Sequence, residues 1–396
     1  MTIEHPANAL TEQLLDPALY ANDPFPLYRT LREEAPVAWC ASKGFWAVTS
    51  HALVNEISTD PGRFRSGGGI ITDEIGVIYE SPPTMMHTDP PAHTRYRRLV
   101  QPSFKPTEVR SLDADVRAMA QRLLGDVPLH ESIDFVHRFS VPFPLQVICS
   151  LLGADTEQWP RFFDWSEASI PGTGNMTDEE RGQHQMEMWE YLITLATDRR
   201  ASPTSDVVSQ LATAEIDGDL LGEPELAMFL IQLLVAGNET TRNSISGGLL
   251  ALAQHPEQWE QLRNDRSLIP SAVEEILRWT TAVISFMRTA THDTTLGGVA
   301  LASGDPVLMI YAAANRDPAA FGPTAESFDI TRHPNPHVSF GFGTHFCLGA
   351  SLARLELRIV LEEMLDRYTS FEISGPVELS PSPIIAGIDH AALTFH

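Results

Sequence analysis

The chain has 396 residues, 43% of them hydrophobic, with 27 Lys+Arg against 52 Asp+Glu and a formal net charge of −25. That hydrophobic share excludes intrinsic disorder, and the acidic excess repels phosphate backbones and anionic headgroups, so no nucleic acid and no membrane surface is expected as a partner. Cys40, Cys149 and Cys347 stand far apart in no metal-ligand spacing, and Met1 to Leu10 does not read as a signal peptide, which together exclude a disulfide scaffold or zinc site and make a cytoplasmic protein the expectation.

In chain order, Val37 to Trp39 and Phe45 to Val48 flank a Ser42-Lys43-Gly44 turn and predict a hairpin. Ser66 to Ala92, rich in Gly, Pro and Met, shows no sustained period and reads as a long functional loop. Apolar residues at three-to-four spacing predict helices over Val109 to Leu124, Pro142 to Leu152, Glu179 to Asp198, Glu223 to Ala253, Pro256 to Arg263 and Ser271 to Trp279. Short strands follow at Thr294 to Leu296, Val299 to Leu301 and Val307 to Ile310, and a last helix at Ala350 to Arg367. The longest apolar run, Met228 to Gly237, is about half a membrane span. No repeat or linker divides the chain. The expectation is one domain over 1–396, mainly α with a smaller β part (α+β): a β-rich lobe mostly from 30–70 and 285–396, and an α-rich lobe from 93–284 plus 350–367.

The chemistry concentrates in Phe340-Gly341-Phe342-Gly343-Thr344-His345-Phe346-Cys347-Leu348-Gly349, a glycine-aromatic loop placing a cysteine just before a helix. A helix N-terminus favours a thiolate, and glycines let the backbone turn around it, so the loop is built for an anionic sulfur ligand; a buried inert cysteine is the plain alternative. The loop resembles the haem-binding loop of the cytochromes P-450, with Phe340, Gly343, His345, Cys347 and Gly349 at its fixed positions. That resemblance implies the P-450 fold, a triangular prism-like helical domain with haem between the long central helix and the cysteine-loop helix. It also implies haem b as cofactor, with Cys347 as axial thiolate and metal ligand and Phe340, Gly341 and Gly349 around it. A thiolate donates electron density to iron and favours O–O cleavage.

Other stretches carry the same resemblance. Ala236-Gly237-Asn238-Glu239-Thr240-Thr241 is similar to the family's oxygen-activating motif. Ala236 and Gly237 would leave room for a diatomic ligand, Thr240 can hydrogen-bond the Ala236 carbonyl and bend the helix, and Glu239 with Thr240 would relay protons from solvent. Glu275-Ile276-Leu277-Arg278 looks like the family's Glu-x-x-Arg; spacing of three puts both side chains on one face, and the implied role is structural. His93, Arg97, Arg288 and His345 match the donors to the haem propionates.

The chain carries no nicotinamide fingerprint or fused flavin segment, so the resemblance implies an NAD(P)H-driven ferredoxin reductase and a ferredoxin, with O2 as co-substrate. Arg95, Arg97, Arg98, Lys105 and Arg110 against Glu108 form a basic patch suited to an acidic carrier. Substrate contacts are implied from Gly67 to His87, Phe162 to Met188, Phe229 to Leu234, Val283 to Met287 and Ile384 to Ile388, with Met85, Met86, Phe229, Leu233, Val283, Ile284, Phe286 and Ile385 as an apolar pocket. Ser66 to Ala92 contains no Lys or Arg, so a neutral terpenoid, steroid or branched lipid is expected, hydroxylated at an unactivated C–H. The competing readings are a haem-thiolate peroxygenase or isomerase, a gas-binding haem sensor, and a non-enzymatic all-α interaction protein.

Overall fold

The computed structural model describes residues 8–79, 84–170, 176–216 and 218–396, and forms two compact units. The predicted stretches at 80–83 and 171–175, inside the long loop and the expected substrate region, lie outside the described residues.

The first unit takes the chain up to Ala92, Glu274–Cys347 and Leu379–Gly387. It holds helices α1 (Phe25–Glu34) and α2 (His51–Thr59) and a five-stranded sheet. The strands are β1 (Val37–Cys40), β2 (Phe45–Val48), β3 (Phe64–Arg65), β5 (Ser285–Ala290) and β8 (Pro306–Ile310), in the order β1-β2-β8-β5-β3. β4 (Ser132–Asp134) belongs to the second unit, and β6 (Thr294–Leu296) and β7 (Val299–Leu301) form a separate ribbon. The predicted hairpin is present, with Trp39 opposite Trp46 and Cys40 opposite Phe45.

Alternation along these strands feeds two cores. Ala38, Cys40, Phe45, Ala47, Met287, Leu308 and Ile310 face one, where Leu27, Tyr28 and Leu31 of α1 close over them. Val37, Trp46, Val48, Ala290, Val307 and Met309 face the other, with Val54 and Ile57 of α2. A period of two thus buries both faces of the sheet.

The second unit takes His93–Val273, Leu348–Glu378 and Ile388–His396. Its longer helices are α3 (Ala92–Val100), α4 (Asp113–Gly125), α5 (Pro142–Leu152), α6 (Trp159–Ser169), α7 (Asp178–Ala201), α8 (Glu223–Gln254) and α9 (Pro256–Asn264). α10 (Ile269–Thr280) spans the division between the units, and α11 (Ala350–Arg367) closes the helical set. Strands β9 (Phe371–Leu379) and β10 (Ile388–Phe395) form a sheet with β4.

The predicted helix over Val109 to Leu124 is broken at Leu112. The Ser111 hydroxyl donates back to the Glu108 carbonyl at 2.6 Å, and Asp113 opens a new helix with its carboxylate on Arg117 and Arg358. α7 begins with a capping box in which Thr177 and Glu180 satisfy each other's backbone N–H groups. Among the described residues, no helix is long and apolar enough to cross a membrane.

Candidate active site

The cysteine loop is wound by its own backbone. The Gly341 N–H donates to the Val338 carbonyl at 2.8 Å, Phe346 N–H to Gly343 at 3.1 Å, and Cys347 N–H to Phe340 at 2.8 Å. Gly341 and Gly343 have φ of +67° and +66°, a region costly for any side chain, and a Cβ on Gly343 would overlap the Ser58 carbonyl. The aromatic rings of Phe340 and Phe346 meet edge to face, and His345 Nε2 lies 3.1 Å from the Ser66 hydroxyl. Cys347 is exposed, with exposed Phe342 and Phe346 beside it in sequence, and Gly349 caps α11 three residues before Leu352. Cys40 and Cys149 are buried; burial pushes the Cys149 thiol up to about 12 and also raises Cys40, so both remain neutral thiols.

Arg288 on β5 is buried, and the hydrogen bond it makes is a donation to the Met287 carbonyl at 2.7 Å. Among the described residues no carboxylate pairs with it, and burial pulls its pKa down. An ionised side chain in that position calls for an anion. An exposed thiol in an aromatic-rich loop, together with a buried guanidinium that no described carboxylate ion-pairs, fits an apolar iron macrocycle with carboxylate arms. In the second unit His93 is buried and Arg97 half-buried, one helical turn apart on α3.

Glu275 and Arg278 are fully buried rather than a solvated pair. Arg278 donates to both Glu275 oxygens at 2.8 and 2.7 Å and to the carbonyls of Asn315, Ala325 and Ser327; Arg332, Asn335 and the Asp329 N–H complete the Glu275 carboxylate. The network pins residues 315–335, which lead into the cysteine loop.

On α8 the Thr240 hydroxyl donates to the Ala236 carbonyl at 2.8 Å, as expected, and Ala236 is exposed on a helix otherwise largely buried. Two expectations are corrected. Gly237 does not simply leave space: a Cβ there would overlap Ile148 of α5, so the glycine permits close helix packing. Glu239 is not open to solvent. Consecutive helical residues point about 100° apart, and Glu239 turns away into a buried charge cluster.

In that cluster the Arg242 guanidinium lies 2.9 Å from Glu239 Oε2 and 3.0 Å from Glu167 Oε1 of α6, with the Phe163 ring 5.5 Å away. Burial, with Glu167 adding to it against the pull of Arg242, pushes the Glu239 carboxyl up to about 8. One guanidinium between two carboxylates thus leaves a proton on Glu239 at neutral pH. Sequence reasoning missed both partners: Arg242 is legible as a residue three positions on, whereas nothing in sequence links Glu167 to it.

The expected pocket residues divide. Val283 pairs with Ile385 in an isolated bridge, Phe286 is half-buried with its ring against Tyr311, and Met85 and Met86 sit in one turn, buried and half-buried. Ile284 instead packs in the core beside Phe45 and Leu308, because alternation sends it to the opposite face from Val283. In the second unit, Leu233 is half-buried and Phe229 packs edge-on against Tyr96, whose hydroxyl donates to Glu225. Phe162, with Trp165, belongs to an aromatic cluster with Tyr191 between α6 and α7.

The cytochrome P450 family model matches residues 145–382. A methyl-branched lipid omega-hydroxylase from Mycobacterium bovis is 39% identical, over 85% of this chain and 83% of that protein. A steroid C26-monooxygenase from Mycolicibacterium smegmatis is 35% identical, over 91% and 88%. The structure of a Mycobacterium marinum cytochrome P450 in complex with pseudoionone matches with a TM-score of 0.91 and 32% identity, covering 100% of both chains. With the loop, the buried Glu275–Arg278 network and the Thr240–Ala236 hydrogen bond on the longest helix, these matches establish that the chain belongs to the cytochrome P450 family, whose haem b is held by a cysteine thiolate, and that it is a monooxygenase hydroxylating hydrophobic substrates.

Proposed function

We propose that Cys347 is the haem ligand, that His93, Arg97, Arg288 and His345 receive the propionates, and that the enzyme oxidises the end of an alkyl chain in a terpenoid, steroid or branched lipid. The relative named for omega-hydroxylation of a methyl-branched lipid supports oxidation at a chain end. Haem bound through a thiolate supplies the activation of O2 needed to insert one oxygen atom into an unreactive C–H bond.

The chain's own residues supply protons and exclusion of water. Glu239 holds a proton in the buried cluster, and rotation of its side chain away from Arg242 would bring it to Thr240, whose hydroxyl donates to Ala236 at rest. Electrons would come from an acidic ferredoxin reduced by its NAD(P)H-dependent reductase. Arg95, Arg98, Lys105 and Arg110 are exposed and offer the basic surface it would meet.

The observation that carries this reading is the exposed Cys347 in a loop that two left-handed glycines hold open. The reduced, CO-bound wild type is expected to show the strongly red-shifted Soret band of thiolate ligation, and Cys347→Ser to lose it. An imidazole-type spectrum in the wild type would refute the assignment.

A further inference from the structure

The chain enters the cysteine loop through His337, Val338 and Ser339, and each is held by hydrogen bonds within the first unit, to which Glu274 and Leu277 of α10 also belong. The Val338 N–H donates to Asn315 Oδ1 at 2.8 Å, and the Ser339 hydroxyl donates to the Leu277 carbonyl at 2.7 Å while accepting from Asn315 Nδ2 at 2.9 Å. The His337 imidazole is only 3% exposed, lies 5.8 Å from the Phe340 ring and has a partner at each nitrogen. The Ser339 N–H donates to Nδ1 at 3.3 Å, and Nε2 lies 3.1 Å from Glu274 Oε2. Those partners assign the tautomer: Nδ1 accepts, so the ring hydrogen is on Nε2 and is donated to the carboxylate. Glu275, the next residue on α10, serves Asn335 and the stretch before it, so two adjacent acids support successive lengths of chain leading to the cysteine.

We infer that His337 is a positioning residue for the sulfur ligand: anchored on α10 by Glu274, it fixes the Ser339 N–H and with it Phe340, whose carbonyl takes the Cys347 N–H. The inference rests on the reading of Cys347 as the haem ligand. The path from ring to cysteine is short and closed. The Gly341 N–H returns to the Val338 carbonyl at 2.8 Å and makes 338–341 a turn, and the Ser339 hydroxyl bonds hold that turn on α10. Removing the Nδ1 acceptor leaves the Ser339 N–H unpaired where the turn begins. Hydrogen-bonded partners standing behind a metal ligand change metal affinity about 10–100-fold when they are lost.

Asparagine and glutamine separate the two bonds of the ring, because Asn Oδ1 can take the place of Nδ1 and Gln Nε2 the place of the ring Nε2. The readouts are the spectrum of the reduced, CO-bound protein and the rate of haem loss to excess apomyoglobin. His337→Asn is expected to keep the red-shifted thiolate band and the wild-type rate. His337→Gln is expected to move much of the band to the unshifted position and to lose haem about tenfold faster. Circular dichroism of the haem-free variants is expected to show both folded. Asn and Gln variants alike in both readouts, an Asn variant worse than the Gln variant, or a His337→Gln protein that does not fold without haem would overturn the inference. A wild type without the thiolate band removes the ligand reading and this role together, whereas a wild-type band with equal variants removes the role of His337 alone.

Discussion

Two side chains show how burial converts a common residue into a specific one. Glu239 shares one guanidinium with Glu167, and its carboxyl, raised to about 8 chiefly by burial, binds a proton more tightly folded than unfolded. Its contribution to stability is therefore full below pH 4.5 and is lost as pH rises through about 8. The melting temperature of the wild type should fall more steeply between pH 5 and 8 than that of Glu239→Gln, which leaves Arg242 with Glu167 and the nearby Asp389 charge. Coupling of O2 consumption to product should also fall above pH 8 in the wild type and be poor throughout in Glu239→Gln. Arg288 presents the opposite case, a buried cation without an ion-paired carboxylate among the described residues, Asp89 attracting it from farther off. Arg288→Met is expected to leave the haem-free protein equally stable, or more stable by about 1–4 kcal/mol, while lowering haem retention on gel filtration. A loss of haem-free stability would show that the guanidinium is structural.

Elements are held by the polar networks at their ends as much as by their apolar faces. The Glu275 carboxylate ties α10 to Arg278, Arg332, Asn335 and the Asp329 N–H, all in one unit and away from solvent. Glu275→Ala strands two buried guanidinium groups, so a loss of about 3–5 kcal/mol is expected from urea unfolding; a change below 1 kcal/mol would contradict the scaffold role. The helical pattern was legible wherever one face was apolar, and α5, α8 and α11 match their predicted ranges to within a residue. α1, α2, α6 and the β9–β10 hairpin were not predicted. α6 starts with Trp159-Pro160 and buries Phe162 and Trp165 against α7, and such short mixed segments become helix through their partners rather than through period.

At the scale of the molecule, charge is the organising quantity. A net charge of −25 leaves the exposed Arg95, Arg98, Lys105 and Arg110 as a local exception. If an acidic ferredoxin docks there, Arg98→Glu is expected to raise its apparent KM about tenfold with kcat unchanged, an effect that shrinks with added salt. Equal KM values for wild type and Arg98→Glu would place docking elsewhere. By itself the sequence determined the family, the cysteine loop and the longest helices, because glycine positions, Glu-x-x-Arg spacing and helical period are local constraints written in adjacent residues. Only the tertiary structure decided that Glu239 faces Arg242 and Glu167 rather than solvent, that Gly237 accommodates Ile148, that Ile284 is core, and that Lys43 stands against the long loop. Each of those depends on residues tens of positions apart, whose meeting is set by packing and desolvation rather than by any pattern along the chain.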